Sequence, residues 1–115
     1  MIKVYQIQLT NAEVDIINSD GEYTPRIKAF FDRSFERTFK AENVQYYDHV
    51  ATVDTDDMEE AFRAMNLWDE VYRAEVIKNG PCSSMSVGDI LEMEDGSKYR
   101  CASFGFTRLE NYQRD

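Results

Sequence analysis

Alternation with a period of two opens the chain. In Ile2–Leu9, Ile2, Val4 and the other even positions share one face, with Lys3, Tyr5, Ile7 and Leu9 opposite. Both faces carry apolar residues, which predicts a central strand covered on both sides. Thr10-Asn11-Ala12-Glu13 then has capping-box spacing, with a Thr hydroxyl for an orphan N–H and a Glu that reaches back. The short helix that follows should turn Val14, Ile16 and Ile17 inward before Asn18-Ser19-Asp20-Gly21 ends it.

Thr24-Pro25 is a second helix start, with Thr at the cap and Pro at the first helical position. Ile27, Phe30, Phe31, Ser34, Phe35, Thr38 and Phe39 follow at i, i+3, i+4, i+7 spacing, and most charges fall on the other side. This predicts a long amphipathic helix whose Phe stripe is core. Val44–Val53 is rich in β-branched and aromatic residues and predicts a strand. In the acidic run Asp54-Thr55-Asp56-Asp57, Thr55 or Asp56 should cap a third helix, whose stripe is Met58, Ala61, Phe62, Met65 and Trp68. Leu67 and Val71 lie off that line, so the helix should loosen near Asn66.

Asn79-Gly80-Pro81 is loop punctuation, and Ser83, Ser84 and Ser86 prolong the loop. Val87-Gly88-Asp89 reads as a turn into a strand over Ile90–Glu94. Asp95-Gly96 predicts a two-residue type I′ hairpin that pairs Glu92 with Tyr99, Leu91 with Arg100 and Ile90 with Cys101. That register puts Ile90, Tyr99 and Cys101 on one face and Leu91 and Met93 on the other, with either face eligible as core. Ala102–Leu109 continues as a strand, and the glycine of Phe104-Gly105-Phe106 marks a bulge or close backbone approach. Residues 110–115 read as a polar, fraying end.

These elements predict one α+β domain over residues 1–115. Its small antiparallel or mixed β-sheet uses Ile2–Leu9, Val44–Val53, Ile90–Glu94 and Lys98–Thr107, either open or partly closed toward a barrel. Two to three packed helices and a C-terminal β-hairpin complete it. The Phe-striped helix should cover one face, and the Met58 helix an edge or the same face.

Composition narrows the function classes. With 22 acids against 13 bases the net charge is −9, which argues against direct nucleic-acid binding and suits a basic partner. No apolar run reaches the length of a membrane span, and Met1-Ile2-Lys3-Val4 opens directly into strand-like sequence rather than a leader. A cytoplasmic setting with Cys82 and Cys101 reduced is the expectation, although hairpin neighbours come close enough to pair. The acidic run lacks a calcium loop's Gly at its sixth position and Glu at its twelfth, which are Glu59 and Met65. We therefore expect no metal and no cofactor. His49 lies beside Asp48, but neighbours on a strand point to opposite faces, so Asp48 cannot orient it by adjacency.

Ser84-Met85-Ser86-Val87-Gly88-Asp89-Ile90 resembles the Ser-Leu-Ser-Val-(Gly/Ser)-Asp-Val signature of the YodL-like domain of bacterial, phage and mobile-element proteins. Val4-Tyr5-Gln6-Ile7 at the start, Ala61-Phe62 to Asn66 before the signature, and Gly105-Phe106 after Ser103-Phe104 agree with it. Tyr47-Asp48-His49-Val50-Ala51-Thr52-Val53-Asp54 together with Ser103–Phe106 is also similar to small proteins of marine cyanophages. The likeness covers roughly residues 44–109. Met85 stands for the usual Leu, and Ser83 replaces a His that often precedes the first Ser. The resemblance implies a phage or mobile-element accessory protein and supplies no catalytic residue. Ser84, Ser86, Gly88, Asp89, Phe104, Gly105 and Phe106 are signature positions without an assigned role.

Three function classes follow. The first is an accessory protein that binds a host or phage protein, with self-association through a free sheet edge as a further option. The second is nucleic-acid-related: a PUA-like module stacking bases on Tyr5, Tyr46, Tyr47 or Phe104, or an acidic DNA mimic. A local basic groove beside aromatics would mark the first of these, and a carboxylate ladder the second. The third is an enzyme using Cys82 or Cys101 with His49, which requires hydrogen-bond contact between thiol and imidazole.

Overall fold

The computed structural model describes residues 1–35, 37–67 and 73–109. The expectations for Trp68, Val71 and residues 110–115 lie outside the described residues.

Among the described residues six strands form one open antiparallel sheet: β1 (Ile2–Gln6), β2 (Asp48–Val53), β3 (Val76–Lys78), β4 (Ile90–Glu92), β5 (Lys98–Cys101) and β6 (Phe106–Arg108). Their order is β3-β2-β1-β4-β5-β6, so β1 is central and the sheet does not close into a barrel. Among the described residues three α-helices, α1 (Asn11–Asn18), α2 (Pro25–Asp32) and α3 (Met58–Asn66), and a 3₁₀ helix over Ala41–Tyr46 complete the α+β fold.

The double-faced pattern of β1 explains the layering. Ile2 and Val4 pack with Leu91, Cys101 and the buried α3 residues Ala61, Ala64 and Met65. On the other side Ile7 and Ile90 pack with Ala29 of α2, Val44 and Tyr47. The helices thus cover opposite faces, where both were expected on one face or an edge. A sheet apolar on both sides must be covered on both. Between Val4 and Tyr5 the register shifts, so β2 carries a bulge at Val50. The extra residue lets Val50 and Ala51, adjacent in sequence, both join the α3-side core.

The three helix starts form as capping chemistry dictates, with one correction. Thr10 and Glu13 make the complete capping box of α1, and Thr24 caps α2 ahead of Pro25. Asp57, rather than Thr55 or Asp56, caps α3 by accepting from the Glu59 and Glu60 N–H groups. Thr55 instead accepts from the Asp57 N–H and sets up that cap. In α1 no residue is buried and Val14 is exposed, against the inward stripe expected. The helix is tied to α2 by its Glu13–Arg26 ion pair (3.2 Å).

The long Phe helix stops at Asp32. Its last carbonyls are diverted to side chains: Thr38 Oγ1 donates to Asp32 O (2.7 Å), and Arg100 Nη2 and Nε donate to Arg33 O (3.0 and 3.3 Å). The stripe also splits. Ile27 is buried and Phe30 is partly covered, but Phe31 and Phe35 face solvent. Similarly, Val44–Tyr46 is helical rather than extended, because β1 ends at Gln6, opposite Asp48, and offers earlier residues no strand to pair with.

The C-terminal hairpin forms in a register one residue away from the expected one. Gly96 N–H donates to Met93 O and Met93 N–H to Ser97 O, enclosing the three-residue loop Glu94-Asp95-Gly96 with Gly96 at φ +88°. This is a type I turn followed by a left-handed glycine. Asp95 reinforces it by accepting from the Ser97 N–H and hydroxyl, which holds the Asp95 carboxyl below its usual pKa. Leu91 now pairs with Tyr99 and Ile90 with Arg100. Leu91 and Cys101 join the α3-side core and Ile90 the α2-side core, so both faces are core. The expected last strand breaks after Cys101. Ala102 N–H donates to Gly105 O, and the chain reverses to pair Cys101 with Phe106. β3 was not anticipated: Val76–Lys78 is short and lies at the sheet edge.

Candidate functional site

The signature loop folds around a buried carboxylate. Asp89 N–H donates to Ser86 O (3.0 Å), closing a turn in which Gly88 takes φ +95°, the left-handed value a type II turn needs at its third residue. Asp89 Oδ2 accepts from the Ser86 N–H (3.0 Å) and from Gln6 Nε2 (2.9 Å). Gln6 extends the lock: its Nε2 also donates to Ser83 O (3.0 Å), and its Oε1 accepts from the Ser83 N–H (3.1 Å) and Gln8 Nε2 (2.8 Å). Ser84 and Ser86 themselves are exposed, whereas Met85 inserts into the α3-side core. Val87 is only half-buried.

On the α2 side the same turn is pinned by backbone acceptors. Tyr47 OH donates to Gly88 O, and Gly88 N–H donates to Cys101 O (2.8 Å). A β-carbon at Gly88 would meet the Arg33 carbonyl carbon at 2.8 Å, so only glycine fits. Arg100, 2% exposed, bonds Arg33 O and lies with its guanidinium carbon 5.2 Å from the Phe39 ring centroid. Burial pushes the Asp89 carboxyl up to about 6, against the Ser86 and Gln6 hydrogen bonds and the Arg33 charge. Burial and then the Asp89 charge raise the Tyr47 phenol, and the same causes push the Cys101 thiol up to about 11.

Gly88 and Asp89 stood out in the sequence as turn residues, whereas Gln6, Tyr47 and Arg100 did not stand out as their partners. Gln6 had a signal, being a polar residue at an inward position of the most apolar strand. Arg100 had none once the hairpin register was off by one.

The thiol–imidazole option is not assembled. His49 Nε2 lies 3.0 Å from Thr52 Oγ1 and its Nδ1 3.0 Å from Asn79 Nδ2. Its ring tilts against Tyr5 at 5.2 Å, while Asp48 pairs with Arg26 (2.9 Å). The depression beside it is lined by Gln8, Asp48, Val50, Asn79, Gly80 and Pro81, with no cysteine. Cys82 and Cys101 are free thiols against the α3-side core. A buried thiol with a raised pKa is a poor nucleophile. Among the described residues no group of three or more His, Cys, Asp or Glu side chains could hold a metal ion.

The exposed aromatics form two surfaces. Around α2, Tyr23 before the helix stacks on Phe31 (5.4 Å between centroids), and Phe31 and, beyond the helix end, Phe35 are 45% and 66% exposed. Exposed Lys28, Arg37 and Lys40 belong to the same segment. Residues 24–40 hold five of the 13 bases and two of the 22 acids, a net +3 against −12 for the rest of the chain. Across the sheet, the Ser103–Gly105 turn holds up Phe104, 96% exposed, beside Phe62 of α3. Phe62, Ala102, Phe104 and Phe106 line a groove edged by Glu59, and Glu59 and Phe62 continue into a 420 Å³ depression edged by Glu60 and Arg63. Among the described residues no helix is long and apolar enough to cross a membrane. No family model, curated protein or solved structure matches the chain.

Proposed function

We propose that the protein is a small accessory protein of the YodL-like kind, of phage or mobile-element origin, that binds a host or phage protein in the host cytoplasm without catalysis. The observation that carries this reading is the outer face of α2 and of the residues just after it. Phe31 and Phe35 remain in water on a segment whose inner residues already cover the sheet. Exposed aromatics of this size are the side chains that anchor protein interfaces. The signature residues support a structural part in the same reading: Gly88 and Asp89 hold the loop together and turn no reactive atom outward.

The test is affinity capture from host lysate with folded wild-type protein and with a Phe31→Ser/Phe35→Ser variant. Retention of a discrete protein by the wild type, lost in the variant, is the expected result. Capture of nothing by folded protein, or capture indifferent to both substitutions, overturns the reading.

A second reading has one observation in its favour. Lys28, Arg37 and Lys40 lie on the same segment as exposed aromatics, the combination that binds single-stranded nucleic acid by stacking and phosphate contact. The net charge of −9 opposes it. Salt-dependent binding of a labelled single-stranded oligonucleotide, lost in the same variant, would favour it over a protein partner.

A further inference from the structure

The two aromatic surfaces are complementary in charge. The α2 segment presents Phe31 and Phe35 with Lys28, Arg37 and Lys40. The groove between α3 and the β5–β6 turn presents Phe62, Phe104 and Phe106, and its rim of Glu59, Glu60 and Arg63 carries two acids to one base. Both carboxylates are exposed, and Asp54 and Asp57 add negative charge at the same end of α3, where Asp56 pairs with the Met1 amine (2.9 Å). We propose that the occupant of this groove is a second copy of the chain, with the cationic aromatic α2 face of one molecule seated on the acid-edged groove of the next.

Opposite sides of the sheet carry the two surfaces, since α2 packs with Ile7 and Ile90 while α3 packs with Ile2, Val4 and Leu91. A molecule therefore cannot fold one surface onto its own other surface. Nor can two copies satisfy both contacts in a closed twofold pair. The contact is head-to-tail, and each added copy leaves one free surface at each end. Phe35 is the natural insertion residue: it is the most exposed aromatic on the α2 segment, and a groove with aromatic walls lets rings meet edge to face. Oppositely charged surroundings on the two surfaces orient the encounter, which makes the association sensitive to salt. The inference rests on the reading of the α2 face as a docking surface and gives that face an occupant of its own.

Sedimentation velocity across the micromolar to millimolar range, at low and at high salt, tests it. The wild type should show a weight-average mass that climbs past twice the 13.5 kDa of one chain without levelling off, and falls back at high salt. Lys28→Glu/Arg37→Glu and Glu59→Lys/Glu60→Lys should each weaken self-association by roughly tenfold or more. An equimolar mixture of the two should restore it, because each altered surface then meets an altered mate. Circular dichroism confirms that both variants are folded, and Phe35→Ser, at an exposed site, provides an uncharged check expected to lose association. A wild type that stays monomeric, a mass that levels at a dimer, or a mixture that does not recover would each overturn the proposal. If the wild type is monomeric yet still captures a protein through Phe31 and Phe35, this inference fails and the partner reading stands. If the wild type self-associates and captures no other protein, the partner reading fails and this inference stands.

Discussion

The two faces of the sheet are held by different physics. Beneath α3 the contacts are apolar: Ala61, Ala64 and Met65 are fully buried against Ile2, Val4, Val53 and Leu91. On the α2 side an apolar cluster is overlaid by a polar clamp, in which Arg33 O, Gly88 O, Tyr47 OH and the Arg100 guanidinium meet in a dry setting. Apolar contact is tolerant of shape and follows from periodicity. A polar clamp depends on a few atoms, each costly to leave unpaired. The α3 side should therefore lose stability in proportion to volume removed, and the α2 side according to which atom is lost.

Gly88→Ala gives the largest expected effect. A methyl group there runs into the Arg33 backbone and needs a left-handed residue, so the variant should lose about 4 kcal/mol or fail to fold. Urea denaturation reads the change, and a loss below about 1 kcal/mol would mean the α2 segment yields easily. Met65→Ala, on the apolar face, should cost roughly 3 kcal/mol through the lost transfer energy and the cavity left behind. A smaller cost would show that α3 can collapse onto the sheet.

Asp89 sharpens the comparison through pH. Its folded pKa, about 6, lies above the ordinary 3.8, so the folded state binds the proton more tightly than the unfolded state. The contribution favours folding fully below pH 3.8 and is lost as pH rises through 6, by up to roughly 3 kcal/mol. Asp89→Asn has no such titration. Subtracting its stability–pH curve from that of the wild type should isolate a fall between pH 4 and 7, and a flat difference would show that Asp89 is better solvated than its burial implies.

Tyr47→Phe removes one donor from Gly88 O and should cost about 1–2 kcal/mol in thermal or urea unfolding, with no change in the fall between roughly pH 4 and 7 that Asp89 causes. At the small end, Phe35→Ser should shift stability by less than about 0.5 kcal/mol despite removing a large apolar side chain, because that side chain is mostly in water. A substantial loss there would place Phe35 in the core and remove the argument for a docking face.

What the sequence by itself determined is local or periodic. Thr10 with Glu13, Thr24 before Pro25, and the inward spacing of Ala61 and Met65 are fixed by groups within a turn of one another. The need for cover on both faces of β1 was likewise present in its alternation. Gly88 and Asp89 were legible as a turn for the same reason. The tertiary structure alone decided the rest. Phe30, Phe31 and Phe35 look alike on a helical wheel, yet Thr38 and the distant Arg100 take the carbonyls of Asp32 and Arg33 where the helix ends, Phe35 falls beyond it, and Phe31 lies on its outer side. Asp95-Gly96 allowed both a two- and a three-residue loop, and the choice of register set which residues of β5 meet α3. Asp89 gained a raised pKa from burial among partners as far along the chain as Gln6, a pairing no spacing rule contains. Contacts within a turn depend on nearby residues and so are written in local sequence, whereas helix ends, registers and buried polar pairs depend on whichever distant atoms the packing brings within reach.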